Sequence, residues 1–198
     1  MGILSEFLYW LPTYFFPKIC YDCGREGWFI CPDCRPKVAK AINSLICPNC
    51  QKPSSLGLTH LECRKTNGLD GLISYYRYAC WAKEIVKDAK FGLNPHWRAM
   101  KEFSEEFAIT LSQKTFPKII TNNRFSNNSI VSPVALHWWR KMKRGFNQAE
   151  IIAKPIAESL NLALKTDLIE RSVYSLPQTL IGDTSRRTNV KKAFSINK

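Results

Sequence analysis

Residues 130–160 read IVSPVALHWWRKMKRGFNQAEIIAKPIAESL, and the succession of textures along them decides the fold. The apolar run 130–134 reads as a short buried strand. A basic, glycine-bearing loop follows, and residues 149–160 then read as a helix bent or broken near Pro155. Strand, loop, helix is the layout in which loop amides and a helix N-terminus collect an anion. Gly145 would let the backbone approach a phosphate, Arg144 can give a forked contact, and Asn147 and Gln148 can donate amide hydrogens. On spacing alone, a solvated basic loop is the alternative.

Composition points the same way. The chain has 198 residues, enough for one domain and a small appendage, and 29 Lys and Arg against 16 Asp and Glu leave a net charge of +13. Such a balance favours phosphate-bearing partners, whether nucleotide, nucleic acid or anionic surface. The first apolar run, residues 3–16, is interrupted by Ser5, Glu6 and Pro12 and lacks a basic flank. It falls short of the roughly 20 residues that span a bilayer, so residues 1–19 read as an amphipathic lead-in rather than a signal or transmembrane segment.

Eight cysteines form the first constellation with chemistry in it. Three C-x-x-C pairs, Cys20 and Cys23, Cys31 and Cys34, Cys47 and Cys50, precede the single Cys63 and Cys80. With no secretory signal, this pairing predicts a reducing, cytoplasmic compartment and thiolate metal ligands rather than disulfides. Two knuckles at the ends of CYDCGREGWFICPDC can close a tetrahedron around zinc. The second ribbon, CPNCQKPSSLGLTHLEC, has Thr66 where a last cysteine would stand, so His60 is its best fourth ligand; a solvated histidine is the competing reading. Consecutive pairing, with Cys20, Cys23, Cys31, Cys34 in one site and Cys47, Cys50, His60, Cys63 in the other, is simplest. A crossed pairing of the first and third knuckles would satisfy the same chemistry. Closed four-ligand sites leave no position for water, so the module is structural or recognition-bearing. Cys80 reads as a packed thiol outside it.

From residue 69 the texture changes. An alternating aromatic strand leads into a helix with Ile85, Val86 and Ala89 at helical spacing, stopping at Gly92. A second helix, roughly 97–112, carries Met100, Phe103, Phe107, Ala108 and Leu111 on one face, and residues 122–129 read as a polar surface loop.

The stretch SPVALHWWRKMKRGFNQAEIIAKPIA resembles the signature of the ComF family, in which a valine- and proline-bearing strand and a basic linker precede R-G-F-N-Q and a helix. Arg144, Gly145, Phe146, Asn147 and Gln148 match that pentad in full, and Arg171, Gln178, Arg186, Asn189, Ala193 and Phe194 fall at the spacing of the family's second block. The knuckles match its double zinc ribbon. The resemblance implies an α/β chain: a zinc-ribbon module at 20–68, then a type I phosphoribosyltransferase-like domain at 69–198 with a mainly parallel sheet. It implies phosphoribosyl pyrophosphate bound with magnesium, with Arg144, Gly145, Asn147 and Gln148 in the pocket and Arg186 as a phosphate partner in a mobile hood. No catalytic side chain is singled out, because positioning and electrostatics dominate this transfer.

Two departures accompany the resemblance. Thr66 weakens the second zinc site, and the family's acidic pair and T-T-G turn, expected soon after Phe194, do not precede Lys198. A reading frame that continues is therefore expected, and the chain as written should not catalyse transfer. ComF-type proteins are also associated with uptake of single-stranded DNA in competence, so a single strand or a competence helicase is a second class of partner. Trp138, Trp139, Arg140, Lys141 and Lys143 are the candidates for it, since bases stack on aromatic faces while cations track the backbone. Against this stands the ordinary reading, one tryptophan in the core and solvated lysines.

Overall fold

The computed structural model describes residues 16–38, 40, 45–66, 68–91, 97–121, 129–173 and 193–197. Residues 1–15 of the expected lead-in, residues 122–128 of the polar loop, and Gly92, Gln178, Arg186 and Asn189 lie outside the described residues. The chain forms two compact units, 1–99 and 100–198.

The first unit holds both ribbons and a helix. Regular structure in the ribbons is sparse: single antiparallel bridges join Ile19 to Glu26 and Ile46 to Pro53, and short 3-10 turns cover Arg35–Lys37, Ser55–Gly57 and Leu61–Cys63. The aromatic strand expected from residue 69 is reduced to isolated bridges, Leu58 with Gly71 and Lys40 with Tyr76. Leu72 donates its N–H to the Gly57 carbonyl at 2.9 Å, and Gly57 sits at φ +70° where a Cβ would collide with the Leu72 carbonyl. Helix α1, Cys80–Phe91, buries Trp81, Ile85 and Ala89 at four-residue spacing. Val86, expected in that stripe, is only half-buried.

Helix α2, Trp97–Thr110, buries Met100, Phe103 and Ala108 of the expected stripe and Ala99 besides, whereas Phe107 is only half-buried. It continues through a π turn, Leu111–Thr115, into α3, Phe116–Thr121. Strand β1, Ile130–Val131, pairs in parallel with β2, Ala163–Leu164. Helices α4, Trp138–Arg144, and α5, Gln148–Leu160, fill the crossover that parallel strands require, and α5 packs on both strands and on the π turn. A second pair, β3 at Ile169–Arg171 and β4 at Phe194–Ile196, is antiparallel. Described residues thus show a mixed helix and strand chain with one small parallel pair.

Three local expectations are corrected. The strand at 130–134 is two residues long and not buried, with Ile130 and Val134 exposed; Pro133 has no N–H to extend the ladder. The basic loop is largely a helix, α4, because His137 caps its start and Gly145 its end. Pro155 does not break α5, which runs from an Asn147 cap to Asn161 in the left-handed conformation.

Candidate functional site

The ribbons bring their ligands together in consecutive order. The ligand atoms of Cys20, Cys23, Cys31 and Cys34 all lie within 4.8 Å of one another, and so do those of Cys47, Cys50, His60 and Cys63. Tetrahedral zinc with Zn–S near 2.3 Å and Zn–N near 2.0 Å places S···S at about 3.8 Å and S···N at about 3.6 Å. Cys23 Sγ stands 3.6 Å from Cys31 Sγ, and Cys50 Sγ stands 3.4 Å from His60 Nδ1, so both groups could hold zinc. His60 is oriented for it. Its Nε2 lies 3.2 Å from the Pro53 carbonyl, which can only accept, and this leaves the Nδ1 lone pair facing the thiols.

Crowding four thiols pulls their ionisation apart. Burial pushes the Cys20 thiol up, but the N–H groups of Cys31, Cys23 and Asp22 outweigh it and bring it down to about 6. Burial likewise opposes the Cys47 thiolate, yet the N–H groups of Cys50, His60 and Asn49 lower it to about 6. Cys34 moves the other way, raised by the Asp22 carboxylate first and then by burial and its fellow thiols. Burial and the Cys50 and Cys47 sulfurs push Cys63 up to about 11. A divalent cation is what would let all the thiols of each group ionise together.

Cys80 belongs to neither group. It is exposed at the first position of α1 with φ +45°, not packed as expected.

The second site is built on α4 and the α4–α5 junction. Trp138 and Trp139 are 61% and 49% exposed, so neither lies in the core, and their rings meet edge to face at 5.9 Å. Met142, one turn from Trp138, is exposed as well. Arg140 and Arg144 share the next ridge at i, i+4 spacing, both half-buried, while Lys143 is exposed. Lys141 reaches Glu150 at 3.0 Å and ties α4 to α5.

In the R-G-F-N-Q pentad the fold claims two members. Gly145 takes φ +79° and donates its N–H to the Lys141 carbonyl at 2.8 Å, closing α4. Nothing lies within 4 Å of a Cβ built there, so glycine serves conformation rather than close approach. Gly145→Ala should therefore cost about 1–2 kcal/mol, read from the denaturation midpoint, and Gly145→Asn less. Asn147 accepts from Ala149 N at 3.1 Å and donates to the Val134 carbonyl at 3.1 Å. Its carboxamide holds the loop against the helix start. Gln148 differs: it is 9% exposed, and its Nε2 is buried with no hydrogen-bond partner. Ser132 Oγ is also buried without one.

Comparison with known proteins adds the family. DNA utilization protein YhgH of Escherichia coli (strain K12) is 24% identical over 192 residues, covering 91% of this chain and 78% of its own length. Competence protein ComFC of Bacillus subtilis (strain 168) is 31% identical over 132 residues, 63% of this chain and 50% of that protein. These likenesses support a ComF-family relationship. Competence protein F of Haemophilus influenzae shares 29% identity over 66 residues, 33% of this chain and 29% of its own. No family model and no solved structure matches the chain.

One residue of the ComF second block joins the first. Arg171 ends β3, registers opposite Phe194 of β4, and lays its guanidinium 5.3 Å from that ring's centroid. Burial, and then the charge of Arg140, lower both Arg144 and Arg171 from the usual guanidinium range. Arg140, Arg144 and Arg171 therefore form one cationic cluster that the pentad alone does not disclose. The signal was present in the spacing of the second block, but only the β3–β4 pairing and the fold of α4 bring it near. Arg186, the expected hood partner, lies outside the described residues. No helix among the described residues is long and apolar enough to cross a membrane.

Proposed function

We propose that this protein handles DNA, as its relatives' names suggest, holding single strands on α4 and a zinc ion in each ribbon. The exposed face of α4 carries the reading. Two tryptophans and a methionine stand in water beside Lys143 and the Arg140 and Arg144 ridge, a costly arrangement unless a ligand covers it. Stacked bases would cover the indoles while the cations meet phosphates. Eight thiols and two clusters of thiolate ligands suit a reducing, cytoplasmic setting. A competence helicase is a further partner, one that the ComF resemblance implies. Fluorescence anisotropy of a labelled oligonucleotide across a salt series tests the reading, with affinity expected to fall steeply as salt rises.

A second reading rests on the orphaned Gln148 nitrogen. Nine-tenths buried at the start of a 13-residue helix, it is a donor awaiting an acceptor, four residues on from Arg144 in the pentad. The ligand it suits is a phosphorylated ribose such as phosphoribosyl pyrophosphate with magnesium, held in a type I phosphoribosyltransferase-like domain over 69–198. Arg144 and Gln148 would contact the phosphates, Gly145 and Asn147 would shape the loop, and Arg186 would close over it. Whether pentosyl transfer follows is a separate question of the acceptor. Arg144→Ala should weaken magnesium-dependent binding of phosphoribosyl pyrophosphate at least tenfold by calorimetric titration. Unchanged affinity removes the pentad from the pocket.

A further inference from the structure

The first ribbon carries a groove of about 430 Å³ that neither zinc binding nor α4 accounts for. Trp28, Pro32, Pro36, Arg35 and Lys40 line it. Ile30 and Val38, 4% exposed each, make the floor.

The lining is held in place while its surface stays open. Trp28 is 50% exposed, yet the next two residues, Phe29 and Ile30, are buried, so the indole stands on an anchored backbone. The prolines have little freedom to lose on binding. Lys40 is positioned by Tyr75, donating to its hydroxyl at 3.2 Å and lying 5.2 Å from the ring centroid. An ammonium with three donors can meet a second acceptor from that position.

The charge pattern selects the occupant. Among the described residues the groove lining contains two cations and no acid, and two of the ribbon's acids are drawn elsewhere, Asp33 to Arg25 at 2.7 Å and Asp22 to Lys37. Its volume suits a small molecule or one residue of a polymer, far below a protein interface. An aromatic face with flanking cations and no acceptor pattern is how proteins hold an unstacked base and its phosphate without reading sequence. A duplex keeps its bases stacked and cannot deliver one.

We propose that one nucleotide of a single-stranded nucleic acid docks here, its base on Trp28 and its phosphate between Arg35 and Lys40. The inference rests on the DNA-handling reading but places a contact on the other unit, at the ribbon. The ribbon then binds as well as folds.

The test uses the full chain with zinc and a labelled oligothymidine. Trp28→Ala should weaken binding roughly tenfold or more, and Trp28→Phe should restore most of it. Arg35→Gln and Lys40→Gln should each flatten the plot of log affinity against log salt by about 0.7. Zinc content of each variant shows that the ribbon is intact; should Trp28→Ala lose zinc, the two cation variants decide. Wild-type affinity in a zinc-loaded Trp28→Ala protein, with loss on changing Trp138, overturns the groove and leaves the DNA reading standing. No binding of any single strand by the unaltered chain at low salt ends both. An acidic peptide that binds more tightly than the oligonucleotide, and only with Trp28 present, reassigns the groove to protein.

Discussion

Removing zinc should unfold the ribbons and most of the order in residues 16–66. Purified protein should carry close to two zinc ions per chain, and Cys31→Ser and Cys47→Ser, at positions with no exposure, should each remove one. The expectation follows from how little else holds the ribbons. Among the described residues they contain isolated bridges and one-turn 3-10 segments, and the buried apolar side chains besides cysteine are few: Phe29, Ile30 and Val38 in the first. Structural zinc contributes an apparent 10–16 kcal/mol near pH 7, comparable to the whole stability of an ordinary domain. Three ligands of the first site are buried, whereas only Cys47 is buried in the second. A chelator should therefore take the second ion first, giving two phases in a chromogenic zinc assay. Acid should act in the same order, because thiolates and imidazole must be deprotonated to bind metal. Circular dichroism that does not change after both ions leave would mean that the ribbons fold without them.

The second large effect concerns α4. Trp138→Ala with Trp139→Ala should lower affinity for a single strand about a hundredfold, since each stacked base contributes roughly 1–3 kcal/mol. Lys143→Gln should weaken binding and reduce the salt slope by about 0.7, the mark of one lost phosphate contact. Lys141→Gln is expected to do less, because its ammonium is already drawn to Glu150. Stability should hardly move, as both indoles are half or more exposed. A fall in melting temperature with no change in affinity would make the tryptophans packing residues and sink the nucleic-acid role of this helix.

Much of the candidate site was legible in residue spacing. C-x-x-C pairs can hardly be read except as knuckles, and His60 stands out because Thr66 is not a cysteine. Helices α1, α2 and α5 were visible as stripes, since a 3.6-residue period survives in any window long enough to contain it. Helix α4 was not. Seven residues are too few to form a helix by propensity, and the His137 and Gly145 caps and the Lys141 bond to Glu150 help hold the segment in that form. For the same reason Gly145 looked like a phosphate-contact residue when its conformation is a helix cap.

The sequence by itself determined the inventory: the ligand types for two zinc ions, the amphipathic helices, the excess of positive charge and the resemblance to ComF proteins. These are local patterns, fixed by neighbours a few residues apart. Tertiary structure decided which knuckles share a site, which nitrogen of His60 faces the thiols, that Arg171 lies near Arg140, and that Gln148 is left with a buried donor and no acceptor. Those outcomes depend on distances between residues far apart in the chain, and such distances exist only once the loops between them have closed.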